Sequence, residues 1–493
     1  VSASTAPPAD ASPGQSKRPQ RGQELELTVD SLAHGGEGVA RWGPGGYVVF
    51  VAGAVPGDRV RAVVYKPKRT YAHARTLEVL EPSSERIAPR ASHPGVPWQV
   101  LPYERQLQIK HAQVGDALRR IGKLEGFELE DIVPALAQWR YRNKLEYSFG
   151  MDLEEEEGEA PLRSAGVAAH DEMPATSGRL VCGFHASAGG NRVVAIEDCL
   201  LASELGNLAR DTAAAWAREA GLGAWTRGDE PGGEALLRNL VVREGRHTGQ
   251  VQVRLVSTPG ELDVSSLADA LRGTLGGRLS GLLWTRSGQL AETTMGGETE
   301  LVSGVAELPE RLGELDLRIS HEAFFQTNTE MTEVLYGLVT EYAALEGWER
   351  VFDLYCGIGT IGLTLAPRAG ELWGIELIEE AVANAIAAAR RNEVTNAHFF
   401  AGDTRLALPE LLAKAGKPDV LVVDPPRAGL SAKVVRRIID ASPKRIVYVS
   451  CNPTTLAPNA AQLVEAGWTL HRVRPVDMFP QTHHVECVAS FER

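Results

Sequence analysis

The chain has 493 residues, 43% of them hydrophobic and 23% charged, an ordinary globular balance that excludes a fully disordered polypeptide. No apolar run is long enough to span a bilayer, and the 5 cysteines, none in a CxxC pair, cannot build a disulfide scaffold. The net charge of −13 excludes a uniformly basic surface but leaves room for local basic patches, and the length alone suggests about three domains.

Residues 1–22 are rich in Ala, Ser, Pro and Gln and read as a disordered tail without the apolar core of a signal peptide. Together with the sparse cysteines, this points to a reducing, cytoplasmic location. Residues 23–82 alternate apolar and polar side chains between turn signals such as SLAHGGEG, GPGG and VPGD, which predicts short strands closing into a small barrel. The last part, YKPKRTYAHAR, interleaves Tyr65 and Tyr71 with Lys66, Lys68, Arg69 and Arg75. That pattern suits either base stacking with phosphate contacts or a solvated hairpin.

Residues 83–320 form a β-rich central region. A helix is predicted over 103–122 and is expected to pack on the C-terminal domain, and strands over 140–150 and 180–186 flank an acidic loop, 151–179, that contains EEEE and reads as solvated. From 321 onward, Asn328 or Thr329 can cap a helix with Met331, Val334, Leu335, Leu338, Val339 and Tyr342 on one face. Strands then alternate with helices, the signature of a doubly wound parallel sheet of the Rossmann type over 321–493. Ligands of such sheets lie beyond the C-terminal strand ends.

In DLYCGIGTIG, Asp353 ends a strand, and Gly357, Gly359 and Gly362 permit close backbone approach to a ligand. Glu376 ends the next strand, where a carboxylate can accept from two ribose hydroxyls. This loop alone fits either NAD or another adenosine cofactor such as S-adenosylmethionine. The other strand ends favour the methyl donor: Asp403 is placed for an adenine amino group, Asp424 stands before a stiff Pro-Pro, and Cys451 in YVSCNPTT has no evident use in hydride transfer. Arg427, in place of an aromatic residue after Pro-Pro, points away from exocyclic amines as targets. A thiol and a base suit methylation at carbon 5 of uracil, which is too weak a nucleophile until a thiolate adds to carbon 6. Cys451 is the candidate nucleophile and Glu486, in THHVECV, the candidate base, with His483 and His484 as helpers. Cys182, Cys356 and Cys487 read as structural.

DLYCGIGTIG, DPPRAGL, SCNPTT and HHVECV together resemble the RNA uracil-5 methyltransferases that act on 23S ribosomal RNA or transfer RNA. SLAHGGEGVARW…YVVFVAGAVPGDRV resembles the TRAM domain, a small OB-like RNA-binding barrel, and YRNKLEYSFG, GFHASAGGNRVVAIEDC and HEAFFQTN resemble the central region. The resemblance spans roughly residues 24–493. It implies that Cys451 is the nucleophile and Glu486 the proton acceptor. It also implies S-adenosyl-L-methionine contacts from Gln326, Tyr355, Thr360, Glu376, Asp403 and Asp424. The expected substrate is structured RNA, 23S ribosomal RNA in preference to transfer RNA, and the expected state is a monomer. Cytosine-5 methylation and a non-catalytic RNA-binding protein with a relic domain are the other readings left open.

Two departures stand out. Many ribosomal-RNA members carry three clustered cysteines before the helix near Tyr103, and a fourth later, holding a [4Fe-4S] cluster; here RIAPRASHPGVPWQVLPYE has none and only Cys199 remains. No iron–sulfur cluster and no metal site are therefore expected, and Trp98 and the prolines are expected to hold the loop by packing. After SCNPTT the family's usual Arg-Asp is replaced by Pro458-Asn459, which puts the local helix start in question.

Overall fold

A computed structural model of the chain describes residues 18–152, 178–186, 192–226 and 235–493. Most of the predicted tail and most of the acidic loop lie outside the described residues. Two compact units result, Val1–Ala88 with Val100–Pro102, and Pro89–Gln99 with Tyr103–Arg493.

The first unit is a closed barrel of β1 (Glu24–Leu32), β2 (Gly38–Trp42), β3 (Tyr47–Ala52), β4 (Arg59–Pro67) and β5 (Tyr71–Glu81), in the order β1-β2-β3-β5-β4. Strand alternation sends Leu25, Leu27, Val49, Val51, Val60 and Val64 inward, and alanines at 62, 72 and 74 fit the narrow bore. Buried Asp58 accepts from the backbone N–H groups of Val55 and Ser83 and from both faces of the Arg86 fork at 2.7 and 2.8 Å. Burial alone would raise its pKa; Arg86 and the two N–H donors outweigh this and hold it below the usual range.

The outer wall of the barrel is electrically two-sided. Arg59 pairs with Glu26 and Glu81, and Arg61 with Glu24 and Glu78, so those cations are neutralised within the sheet. Across β3, β4 and β5, Phe50, Tyr65, Tyr71 and His73 gather with ring centroids 5.4 to 6.0 Å apart. Beside them Lys66, Lys68, Arg69 and Arg75 form no ion pair among the described residues.

The second unit contains two large sheets. Helix α1 (Tyr103–Asp116) ends in a wide turn at Ala117–Ile121, and is followed by β6 (Glu128–Leu129). A seven-stranded sheet follows, built from β7 (Lys144–Asp152), β8 (Arg179–His185), β9 (Val193–Ala195), β10 (Leu237–Gly245), β11 (Gln250–Ser257), β12 (Leu279–Arg286) and β13 (Glu298–Gly304). Helices α2 (Glu204–Glu219) and α3 (Val264–Leu275) cover its apolar face, where Leu240, Val253, Leu255 and Leu282 meet Ala213, Ala217, Leu267 and Leu271. The hairpin β14 (Leu308–Leu312) and β15 (Leu315–Ile319) leads to α4 (Thr329–Ala343). Asn328 caps α4, accepting from Met331, and Met331, Leu335, Leu338, Val339 and Tyr342 are buried on one face. Val334 is only half-buried.

The doubly wound sheet then runs β16 (Arg350–Leu354), α5 (Thr360–Leu365), β17 (Glu371–Glu376), α6 (Glu379–Arg391), β18 (Ala397–Ala401), α7 (Thr404–Ala415), β19 (Val420–Val423), α8 (Ala432–Ala441), β20 (Arg445–Ser450), α9 (Pro453–Glu465), β21 (Thr469–Val476) and β22 (Glu486–Glu492). The strand order is β18-β17-β16-β19-β20-β22-β21-β6. Strand order reverses between β16 and β19, so the crevice expected of this topology opens where Leu354 and Val423 end their strands. Residues 103–133 pack on this sheet, as expected for the helical segment 103–122, and β6 adds a far edge strand parallel to β21. Seven of the eight strands therefore come from the C-terminal part and one from far upstream.

A fully buried ion pair ties α1 to the chain after β21: Lys110 donates to Asp477 at 2.5 Å and to the Phe479 carbonyl at 3.1 Å. The Tyr103 hydroxyl completes the carboxylate at 2.8 Å. Lys110→Met should leave Asp477 charged and underpaired in the interior, at a cost of about 3–5 kcal/mol. Urea unfolding monitored by tryptophan fluorescence checks this; a loss below about 1 kcal/mol would show the pair to be dispensable.

Candidate active site

The residues singled out from sequence collect along the C-terminal edge of the doubly wound sheet. At the end of β16, Asp353 is fully buried; its Oδ2 accepts from Gly362 N–H at 2.9 Å, while Oδ1 has no partner among the described residues. Burial, then neighbouring Asp424, pushes its pKa up to about 8. Tyr355 follows in the left-handed region at φ 64°, a backbone state that costs a non-glycine residue free energy and marks functional turns. Gly359, at φ +82°, caps α5, and a side chain there would collide with Phe399 and Ala385. Thr360 opens α5 and shares a 2.9 Å hydrogen bond with the buried Tyr336 hydroxyl.

Glu376 ends β17 with Oε2 accepting from Gly357 N–H at 3.1 Å and Oε1 from Ile378 N–H at 3.0 Å, which fixes the carboxylate and leaves acceptor capacity on both oxygens. Asp403 is partly committed within the chain. It caps α7 through Arg405 N–H and is clasped by the Arg405 guanidinium, which holds its pKa down to about 2. An adenine amino group would have to share Asp403 with Arg405. Gln326 lies on the segment leading to α4, and its carbonyl accepts from Asn143 at 2.8 Å, so β7 and this segment are stitched together. Asn328 in turn donates to the Met478 carbonyl at 2.9 Å.

The chemical centre lies one step further along the sheet. The antiparallel β20–β22 pair ends with Ser450 opposite Cys487, so the flanking Cys451 and Glu486 emerge side by side at the mouth. Asp424, just past β19, acts on both. Burial pushes the Cys451 thiol up to about 11, with Glu486 and Asp424 adding to the rise and Arg427 opposing it. Glu486 is 4% exposed, and burial, reinforced by Asp424, holds its carboxyl well above the usual range. Burial raises Asp424 to about 7. Cys182, Cys356 and Cys487 are buried, and all five cysteines are free.

Sequence reasoning used Arg427 only to argue against an amine target. In the structure its guanidinium donates to His484 Nδ1 at 2.8 Å, and its carbonyl accepts from Asn452 and Thr455. Burial, then His483, pushes the His484 imidazole down to about 3, so it is neutral and accepts. Arg427 is thus a fixed cation beside the thiol and carboxyl; the signal was a basic residue directly after Pro-Pro. Pro458-Asn459 does not disturb the helix start. Asn452 caps α9, accepting from Thr454 at 3.0 Å, and Asn459 accepts from Leu430 N–H and Tyr448 and donates to the Leu430 carbonyl. Gly429, at φ +73°, sits against Asn459 and Thr455 where no side chain fits.

Where the family's thiolates are absent, Gln99 clasps its own loop: Oε1 accepts from Arg90 and Ala91, and Nε2 donates to the Ala91 carbonyl. His93 Nε2 lies 3.3 Å from Cys199 Sγ, and Gln106 donates to the Trp98 carbonyl. Packing of Trp98 was expected; the polar clasp was not.

A glycine turn at a topological switch point, an oriented acidic strand end and a thiol beside a carboxyl define a methyltransferase domain. A family model for tRNA (uracil-5-)-methyltransferase matches residues 298–493, and one for the TRAM domain matches residues 18–77. A protein of Halalkalibacterium halodurans named as an uncharacterized RNA methyltransferase is 33% identical over 475 residues, 95% of this chain and 96% of its own. A namesake from Chlorobaculum tepidum is 35% identical over 489 residues, 97% of this chain and 98% of its own. The crystal structure of Pyrococcus abyssi tRNA (uracil-54, C5)-methyltransferase with S-adenosyl-L-homocysteine aligns at TM-score 0.72 and 26% identity, covering 95% of this chain and all of that one. The chain belongs to the RNA uracil-5 methyltransferase family, an S-adenosylmethionine-dependent group of enzymes, which removes the nicotinamide alternative.

With the thiol at about 11, roughly one Cys451 in a thousand is thiolate at pH 8. Alkylation of Cys451 by iodoacetamide, followed by peptide mass spectrometry, should accelerate about tenfold per pH unit from 8 to 10. Arg427→Ala should slow it at fixed pH. A rate that is already flat at pH 8 would contradict this environment.

Proposed function

We propose that this protein methylates carbon 5 of one uridine in structured RNA, 23S ribosomal RNA by preference, through a covalent adduct to Cys451. The observation that carries the reading is the emergence of Cys451 and Glu486 together from the β20–β22 pair, beside Asp424 and the glycine turn. The residues fit the cofactor: Glu376 keeps acceptor capacity for ribose hydroxyls, and the carboxyls of Asp353 and Asp424 form no ion pair among the described residues. Gln326, Tyr355, Thr360, Glu376, Asp403 and Asp424 would hold S-adenosyl-L-methionine, which supplies an electrophilic methyl group when bound. A cation arriving among these acids favours their ionised forms and the Cys451 thiolate.

The protein's own steps follow. The Cys451 sulfur bonds to carbon 6 and sends an electron pair toward carbon 5 and the ring carbonyl, making carbon 5 the nucleophile. After methylation, ionised Glu486 takes the carbon-5 proton; its burial makes it a stronger base than an exposed glutamate. Elimination then breaks the sulfur–carbon bond and returns the thiolate. The target base must leave its stack, at a cost of a few kcal/mol, roughly, in a duplex and less in a loop. The ring-and-cation side of the barrel would grip flanking RNA, stacking bases on Tyr65 and Tyr71. Free thiols are consistent with action in the cytoplasm, as a monomer.

A transfer-RNA substrate is the second reading, favoured by the Pyrococcus enzyme whose whole length this chain covers. Incubating the protein with unmodified ribosomal and transfer RNA transcripts, then mapping 5-methyluridine by mass spectrometry, separates the two; 5-methylcytidine would instead support cytosine chemistry. Cys451→Ala should abolish turnover, by at least about a thousandfold, with S-adenosylhomocysteine affinity nearly unchanged. Substantial turnover by this variant sinks the covalent route, and an inactive wild-type protein that binds RNA supports a relic domain. Glu486→Gln should still transfer the methyl group but stall before elimination, so a protein–RNA adduct should persist on denaturing gels.

A further inference from the structure

The seven-stranded sheet is apolar on the face under α2 and α3, but its other face is both polar and buried. In the register of β7, β10 and β11, Glu146 and Arg254 both stand opposite Val241, forming one cross-strand row, and Lys144 stands opposite Arg243 in the row beside it. Antiparallel sheets ordinarily leave a polar face to water. Here the segment 287–297 lies across it: Glu292 accepts from Ser148 at 2.6 Å, Thr294 donates to Glu146 at 2.8 Å, and Gly296 N–H donates to Glu322 at 3.0 Å.

Among the described residues, the neighbouring cations find acceptors, Arg238 donating to the Ser287, Gln289 and Ala291 carbonyls of the covering segment. Arg243 donates to the Ser320 and Ala323 carbonyls, each at 3.0 Å, and Lys144 pairs with Glu146 at 2.6 Å. Arg254 is 2% exposed, and its Nε, Nη1 and Nη2 all lack a hydrogen-bond partner among the described residues. Glu146 and Glu322 lie within electrostatic reach, yet neither forms an ion pair with it among the described residues. A buried guanidinium left without acceptors costs several kcal/mol, roughly, in the folded state.

The planar fork matches an oxyanion with several acceptor oxygens, which no group of the described chain offers at this place. The face also borders the segment that leads to α4: Arg243 holds Ser320 and Ala323, and Asn143 holds Gln326. The covering segment ends in two adjacent glycines, Gly296 and Gly297, at φ +76° and +95°, and it exposes Leu290 at 79%.

We infer that Arg254 is a ligand for a phosphodiester of the RNA substrate, on a backbone-binding face that the 287–297 strap covers until RNA displaces it. The inference rests on the RNA-methyltransferase reading and adds a site to it.

The test compares the full-length wild type with R254M and R254K. The probe is the unmodified transcript that the wild type methylates, with binding measured by fluorescence anisotropy over a range of salt concentrations, alongside melting temperature and S-adenosylhomocysteine affinity. R254M should bind RNA about tenfold more weakly and reduce the slope of log K against log salt by about one. Its melting temperature should be unchanged or higher, since a buried unpaired charge is gone, and its S-adenosylhomocysteine affinity should not move. R254K should keep the salt slope and most of the affinity. Wild-type affinity and slope in R254M would overturn the inference, as would a melting temperature lowered by several degrees or failure to fold, which would assign the guanidinium to the fold. A wild-type protein that methylates RNA while R254M binds equally well removes only Arg254. A wild type that neither binds nor methylates RNA removes the underlying reading as well.

Discussion

β22 runs antiparallel to β20 in a sheet whose core strands are otherwise parallel, and their pairing ends with Ser450 opposite Cys487. That inversion brings the C-terminal end of one strand beside the N-terminal end of the other, so a thiol and a carboxyl 35 positions apart in sequence emerge at one edge. The arrangement has no slack: a shift of one residue would turn Glu486 to the opposite face and bring Cys487 into its place. Lys110, Asp477 and Tyr103 hold the chain that leads into β22, so a helix near the start of the second unit secures an element at its end.

Electrostatics give that edge its chemical character. Asp353, Asp424 and Glu486 are all held protonated more readily than ordinary carboxyls, and the thiol less readily ionised than an ordinary one. The shared first cause is burial, and the charge of Asp424 adds to it at Asp353, Glu486 and Cys451. Arg427, fixed by a neutral histidine, is a cation that favours the ionised forms of both the thiol and Glu486. A cation arriving at this edge would favour the ionised carboxyls and the thiolate.

Departures from the family pattern are absorbed by hydrogen bonding. Asn459 joins α9 to Leu430, at the end of the Asp-Pro-Pro loop, through two bonds and to Tyr448 of β20 through a third, so the loop bearing Asp424 and Arg427 is anchored without the usual acid. Gln99 folds back on Arg90 and Ala91, and His93 meets Cys199, where clustered thiolates would otherwise organise the loop. The barrel shows the same economy of charge: one side spends its arginines on its own glutamates, while the other keeps lysines and arginines beside exposed rings.

The barrel, the doubly wound sheet and the strand-end positions of Asp353, Glu376, Asp403, Asp424 and Cys451 were legible in the sequence. They follow from local periodicity and turn chemistry, which are written in adjacent residues. Cys451 and Glu486 were candidates on chemical grounds, with the same roles implied by the resemblance, and their geometry came from strand inversion, a long-range contact that no local pattern encodes. Pairing of β6 with β21 at the far edge of the catalytic sheet, the Arg427–His484 contact, the Asn459 bridge and the polar buried face around Arg254 were decided by tertiary structure alone. Each depends on which distant segments share one interior, and burial there sets hydrogen-bond partners and proton affinities that an isolated sequence segment does not possess.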